Sequence, residues 1–490
     1  VTFPQPDIVP RGLGLRRIAG NSAWQVVSFT FRGLAGLGVV VALARVEGPG
    51  RLGVFQFALT LTSLLPYYWG YPALLSREVA RRPGHVRGWL EGGMAMTFVF
   101  GIAFSIALTV GARTFGASPE SQMTITLATT AMIFDGIARI QFAAFVAWER
   151  MRLETIATAL QETMFLVGAV IAVGLGGGPV GAMIAFLASR FVGALIAWIT
   201  ASLRCRTLLL PAWHGGFAVR SAVSATPFAA ADTLKLVQMR GDAVLLGLMK
   251  GPAAVGLYQA CTSLVMHWNV LARSLNHAVY PRMSRAWPAH PTRFARYRDA
   301  SNRSLAMIGL PVAIGGALLA ADILHALYGP KFARATLAFQ ILVLVVPIRM
   351  MSNTLSLSLA ACDRQRQRTK AIALAASANL TLNLALIPIW SYLGSAAATL
   401  ATETGLLVGY ALQLRPAIGS SRMMQAIALP ATACVPLAAA VMATRSAPLV
   451  VPMLAGALAY GGTLTLAAMI RFRHESRSPV AALIGLVRPT

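Results

Sequence analysis

Apolar windows of about 18 to 25 residues, each long enough to cross a hydrocarbon layer of about 30 Å as a helix, follow one another along almost the whole chain. Bounded by charge clusters or Gly/Pro turns, they predict about fourteen helices, over residues 21–44, 53–75, 92–112, 123–147, 156–176, 179–200, 221–248, 255–279, 304–328, 337–361, 371–390, 394–413, 425–444 and 449–470. No stretch between them is polar for long enough to be a soluble domain. The expected fold class is an all-α polytopic membrane protein. At the amino end, Arg11, Arg16 and Arg17 precede an apolar run too long for a signal sequence and without an A-x-A site, so the first helix is expected to be retained.

Composition agrees: 57% of the 490 residues are apolar, 12% are charged, and the mean hydropathy is +0.66. Charge then orients the helices. With both termini placed in the cytoplasm, 28 Lys/Arg fall on that side, 7 on the outer side and 7 inside the predicted spans, accounting for all 42. The net charge of +26 would suggest nucleic acid in a soluble protein. Here the excess sits in cytoplasmic loops such as 282–303 and 364–370, where anionic membrane lipids are the expected partners and nucleic acid is not. Seven His and four Cys (Cys205, Cys261, Cys362, Cys434) show no CxxC, no HExxH and no metal-ligand spacing, so no metal and no cofactor are expected.

The sequence repeats. Gly48-Pro49-Gly50-Arg51-Leu52-Gly53-Val54-Phe55-Gln56 returns as Gly251-Pro252-Ala253-Ala254-Val255-Gly256-Leu257-Tyr258-Gln259, between two helices on the outer side each time. Ala147-Trp148-Glu149-Arg150-Met151-Arg152 is echoed by Ala361-Cys362-Asp363-Arg364-Gln365-Arg366 at a cytoplasmic helix end. The predicted organisation is a cytoplasmic segment 1–20, a six-helix bundle 21–200, a cytoplasmic linker 201–220, a second six-helix bundle 221–413, a helix pair 425–470 and a cytoplasmic tail 471–490. Six is even, so both bundles enter from one side and the implied symmetry axis runs along the membrane normal. Such duplication is typical of alternating-access transporters, with the site in a central cavity between the bundles.

These segments also resemble a known family. Gly241-Asp242-Ala243-Val244-Leu245-Leu246 with Val255-Gly256-Leu257-Tyr258-Gln259-Ala260 is similar to the helix 7 to helix 8 corner of bacterial polysaccharide transporters. Leu310-Pro311 through Leu327-Tyr328-Gly329 and Phe332 resembles its helix 9. Ala378-Asn379-Leu380 through Asn383 to Ile387-Pro388, then Leu393-Gly394-Ser395-Ala396-Ala397, resembles its helix 11 to 12 corner, and Asn21 to Trp24 with Gly53 and Phe55 its opening hairpin. The likeness covers nearly the whole chain. It implies a Wzx-type flippase of lipid-linked oligosaccharides, within the superfamily that also holds multidrug exporters and lipid II flippases. It also implies the bacterial cytoplasmic (inner) membrane and, as partners, a glycan polymerase and other polysaccharide assembly proteins. The family has no invariant signature, so the site residues must be argued from physics.

A charge at mid-helix costs about 2.5–3.5 kcal/mol, so basic residues inside spans must meet something wet or anionic. They are Arg32, Arg139, Arg190, Lys235, Arg240, Arg273 and Arg349. Arg273 lies near a helix end and can snorkel. Arg139 follows Asp135 by four residues, the spacing of a helical ion pair, and Lys235 lies one turn from Asp232. Helix 7 also carries Thr226-Pro227, Gln238, Arg240 and Asp242, so it is expected to line a cavity. Arg32, Arg190 and Arg349 have no acid within a turn on their own helices. Arg32 and Lys235 share the repeat offset of 203, which predicts two cations facing across the symmetry axis. Arg32, Lys235, Arg240, Arg190, Arg349 and Arg139 are the candidate substrate-binding residues.

Guanidinium groups grip oxyanions bidentately, so these cations suit a polyprenyl-(pyro)phosphate-linked oligosaccharide bound for O-antigen, capsule or exopolysaccharide. Two negative charges moving outward across an inside-negative membrane gain about 4.6 kcal/mol per 100 mV. There is no GxxxxGK[ST] loop, so further coupling would use H⁺ or Na⁺ at Asp135, Asp232, Asp242 or Glu403. A multidrug or cation exporter would call for a net acidic cavity, against seven bases and these four acids. Lipid II remains open as cargo. A membrane polymerase or glycosyltransferase would need carboxylates on a large outer loop, and the outer loops are short and nearly acid-free. No catalytic residue is assigned.

Overall fold

The computed structural model describes residues 15–64, 67, 70–81, 86–148, 151–213, 215–419 and 423–471. Most of the expected 1–20 segment and 471–490 tail, and Glu149-Arg150 of the second echo, lie outside the described residues. The described chain holds seventeen α-helices, one 3₁₀ turn and no strand.

Eleven of the fourteen predicted spans are each one continuous helix. These are α1 (Leu15–Glu47), α4 (Val86–Thr114), α5 (Pro119–Ala147), α6 (Met151–Gly174), α7 (Gly178–Cys205), α8 (Gly215–Lys250), α13 (Thr336–Ala361), α14 (Gln365–Trp390), α15 (Tyr392–Ile418), α16 (Met423–Ala443) and α17 (Val450–Arg471). Each of the other three is interrupted by a short break. Span 53–75 is α2 (Pro49–Ser63) and α3 (Tyr71–Arg81), and span 255–279 is α9 (Pro252–Met266) and α10 (Asn269–Ala286). Span 304–328 is α11 (Pro291–Leu318) turning by 78° into α12 (Ala320–Tyr328). A hydropathy window averages over such breaks, since a turn made of apolar residues leaves the average unchanged.

Among the described residues, eight helices are long and apolar enough to cross a membrane by themselves, nine with the bent pair taken as one span. α8 falls short because Asp232, Lys235, Arg240 and Asp242 interrupt it.

The repeat is carried by backbone geometry. α1 and α8 end at Glu47 and Lys250, then α2 and α9 run from Pro49 to Ser63 and from Pro252 to Met266, every pair 203 positions apart. Gly48 and Gly251 take φ of 83° and 82°, a conformation that favours glycine, and proline at the first helical position needs no N–H partner. Arg51 then ties the first of these turns down, with Nη1 2.6 Å from Glu47 Oε2 and Nη2 2.8 Å from Glu120 Oε1. The bonds to Glu47 and Glu120 raise the guanidinium pKa further, so Arg51 keeps its charge throughout the physiological range.

The chain forms two compact units, residues 1–256 and 257–490. In the first, α5 is the hub: it packs on α7, α4, α2 and α3, while α6 joins α1 to α7 and α8 lies on α2, α3 and α4. Small residues allow these approaches, as expected where lipid offers no hydrophobic drive between helices. A Cβ on Gly93 would fall 2.7 Å from Tyr71, and one on Gly101 2.6 Å from Ile133. In the second unit α13 is the hub for α10, α11 and α15, α14 packs on α15, and the α16–α17 pair attaches through α11.

Orientation gives a first prediction. Single cysteines placed beside Arg285 and Arg366 are expected to react with a maleimide only when the reagent reaches the cytoplasmic side. Labelling by an impermeant reagent from outside would reverse the topology.

Candidate transport site

Four of the sequence-selected residues meet inside the first unit. α1 supplies Arg32, α5 supplies Asp135 and Arg139, and α7 supplies Arg190. The Asp135–Arg139 pair forms as the four-residue spacing predicts, with Nε 2.6 Å from Oδ2. Arg190 is 7% exposed and is neutralised by a residue absent from the candidates above, Glu162 on α6. Nη1 donates to Glu162 Oε1 at 2.8 Å and Nη2 to Oε2 at 3.2 Å, a bidentate pair. Nη1 also lies 3.8 Å from Asp135 Oδ1, and the guanidinium stacks 4.5 Å from the Phe186 ring centroid and 5.9 Å from that of Phe165. With its amide turned so that oxygen faces the guanidinium, Gln161 accepts from Arg190 Nε at 3.2 Å.

Arg190 and Arg349, which have no acid within a turn on their own helices, take their acids from other helices. In the second unit Arg349 on α13 donates from Nη2 and Nε to Glu403 Oε1 on α15 at 2.6 and 2.9 Å. The count of four intramembrane acids also changes. Glu162 lies within predicted span 156–176 and Asp322 within 304–328, so both were legible as charges in apolar windows.

Exposure separates the three arginines of the first unit. The side chains of Glu162, Arg190 and Asp135 are 2%, 8% and 15% exposed, whereas those of Arg32 and Arg139 are 40% and 42% exposed. Arg32 leans on the network at long range, its Nε 3.6 Å from Glu162 Oε1 and without a hydrogen bond. Asp135 and Glu162 lie against the three guanidiniums, and Glu154, about two turns away on α6, also feels the charges of Arg32 and Arg139. Arg190 is thus the buried guanidinium of this charge cluster, and Arg32 and Arg139 are the more exposed ones.

On α8, Arg240 is exposed, and Asp242 Oδ1 accepts from the backbone N–H of Ala243 at 2.7 Å. The side chains of Asp232, Lys235 and Gln238 lie outside the described residues, and with them the expected Arg32–Lys235 juxtaposition. Among the described residues no group of three or more His, Cys, Asp or Glu is arranged to hold a metal ion.

Residues 18–287 match the family described as polysaccharide biosynthesis protein. No curated protein matches the sequence. Among solved structures, the fold is similar to the lipid II flippase MurJ in an inward closed conformation, with a TM-score of 0.76 at 12% identity over 92% of this chain and 99% of that one. It is similar to a multidrug resistance MATE family transporter of the MOP superfamily, inward-facing, with a TM-score of 0.63 at 15% identity over 79% and 94%. It also resembles a MOP superfamily transporter from Pyrococcus furiosus, described as having a binding pocket of reverse polarity, with a TM-score of 0.54 at 15% identity over 82% and 95%. The all-helical multi-pass fold is thus that of flippases and exporters.

Proposed function

Because this chain belongs to the polysaccharide biosynthesis protein family, we propose that it is a flippase carrying a polyprenyl-(pyro)phosphate-linked oligosaccharide from the cytoplasmic to the outer leaflet of the bacterial inner membrane. The observation that carries this reading is the pair of half-exposed guanidiniums, Arg32 and Arg139, held over the buried Arg190–Glu162–Asp135 frame. A pyrophosphate offers the bidentate acceptors that such groups select, and a cationic drug would be repelled by them. The sequence repeat supports alternating access as the mode of movement. Asp135 and Glu403, two of the candidate coupling acids, are engaged by arginines, so ion coupling through either would require breaking a short charge-assisted contact.

Reconstituted protein is expected to move a fluorescent polyprenyl-pyrophosphate sugar between leaflets. A charge-assisted hydrogen bond is worth about 1.5–3 kcal/mol, so Arg32→Ala and Arg139→Ala should each slow transport about 10- to 100-fold while leaving the protein inserted. Unchanged rates in both variants would remove these residues from the pathway. Inertness toward the lipid beside activity on cationic dyes would favour the multidrug exporter, and faster movement of lipid II than of other sugar lipids would identify that cargo.

A further inference from the structure

The repeat leaves α16 and α17 unexplained, since neither six-helix set needs them. Within the second unit, the turn joining this pair faces α12 across a cleft of about 190 Å³. Asp322, His325 and Ala326 of α12 form one wall; Arg445, Ala447, Leu449 and Pro452 form the other. The cleft lies at the end of the unit that the Lys/Arg distribution assigns to the outer side.

The lining is selective. Asp322 and His325 are three residues apart and share a helix face. Oδ2 of Asp322 is buried and has no hydrogen-bond partner, and neither Asp322 nor Arg445 is in an ion pair among the described residues. A phosphate would bring negative charge against the Asp322 carboxylate. A metal ion would find two ligands and a guanidinium opposing it. A neutral polyol suits this mixed lining: hydroxyls can both donate to a carboxylate and accept from a guanidinium or imidazole N–H, and a sugar's carbon face matches Leu449 and Pro452. The volume is below the roughly 300 Å³ of drug-sized sites, and fits one sugar ring.

We propose that this cleft is a saccharide subsite that takes a single neutral sugar residue on the outer side, and that the α16–α17 pair is present to complete it. The inference rests on the flippase reading for the source of the sugar, as the glycan carried by the transported lipid. Phosphate recognition at Arg32 and Arg139 and glycan recognition at Asp322 are then separate tasks in separate units.

The test uses the full chain in sealed vesicles, outer face outward, with Ala326→Cys as a reporter for an impermeant maleimide and Ala447→Cys on the opposite wall as a second. Neutral hexoses, 6-deoxyhexoses and N-acetylhexosamines are added singly at millimolar concentration, with inorganic pyrophosphate and alanine as an anion and a zwitterion. At least one sugar is expected to slow labelling at both reporters, and Asp322→Asn to raise the half-protecting concentration at least tenfold. Pyrophosphate and alanine should leave labelling unchanged. Protection by no sugar, or equal protection by pyrophosphate or alanine, overturns the subsite. Labelling reads the cleft without transport, so the two readings fail separately: active transport without sugar protection removes only the subsite, and sugar protection in a protein inert toward polyprenyl-pyrophosphate sugars removes only the flippase.

Discussion

Arg190→Leu should destabilise the protein by about 3–5 kcal/mol, the cost of leaving a buried charge without its partner. The substitution strands Glu162, whose side chain is 2% exposed and which accepts both guanidinium bonds of Arg190. It also removes a positive neighbour from Asp135 and a cation stacked on Phe186. Arg32, 3.6 Å away, is the nearest substitute, and to replace the pair it would have to give up its half-exposed position. The double variant Arg190→Leu/Glu162→Leu should recover most of the loss, because replacing a buried ion pair by apolar side chains of similar volume is often neutral or stabilising. Melting in detergent, followed by fluorescence size exclusion, separates the outcomes. A single variant as stable as the parent would show that the network carries no structural load. Transport by the recovered double variant then reads what the frame does for Arg32: a folded but slow protein would mean that Glu162 positions it.

The second large effect is steric. Gly53→Ala would put a methyl group 1.7 Å from the backbone oxygen of Pro252, and Gly256→Ala one 1.9 Å from that of Pro49. Both contacts lie within residues 1–256. A Cβ is fixed by the backbone and has no rotamer of escape, and its obstacle is another backbone, so the crossing of the first turns of α2 and α9 must open. Overpacking of well-packed sites costs about 1–3 kcal/mol and occasionally more, and these two substitutions belong at or above the upper end. Gly50→Ala, one turn earlier on α2 with nothing within 4 Å, is the control. It should be neutral or stabilising, since alanine loses less conformational entropy in a helix. The double variant Gly53→Ala/Gly256→Ala should cost less than the sum of the singles, because one separation relieves both clashes. Thermal melting of the four proteins decides it, and full additivity would show that the two contacts are independent.

Particular residues show how much of this was legible beforehand. Asp135–Arg139 was readable because its geometry is local: four residues on one helix set the partners side by side whatever the rest of the chain does. The 48–56 and 251–259 turns were readable because Gly-Pro fixes the backbone before any packing. Glu162 was equally visible as an acid in an apolar window, and its partner Arg190 was in view on the next helix. That the two meet depends on how α6 and α7 are rotated and shifted against each other, which a one-dimensional pattern does not contain. Arg349 and Glu403, 54 residues apart, pose the same problem.

The sequence alone determined that the chain is a multi-pass helical membrane protein with an internal duplication, because hydrocarbon enforces apolar helices and duplication copies residues. It also determined which side chains carry charge into the spans. The tertiary structure decided which of those charges neutralise one another, where three spans break, and that Gly53 and Gly256 lie where backbone meets backbone. Each of these depends on helix rotation, register and direction, and those are set by packing between segments distant in the chain.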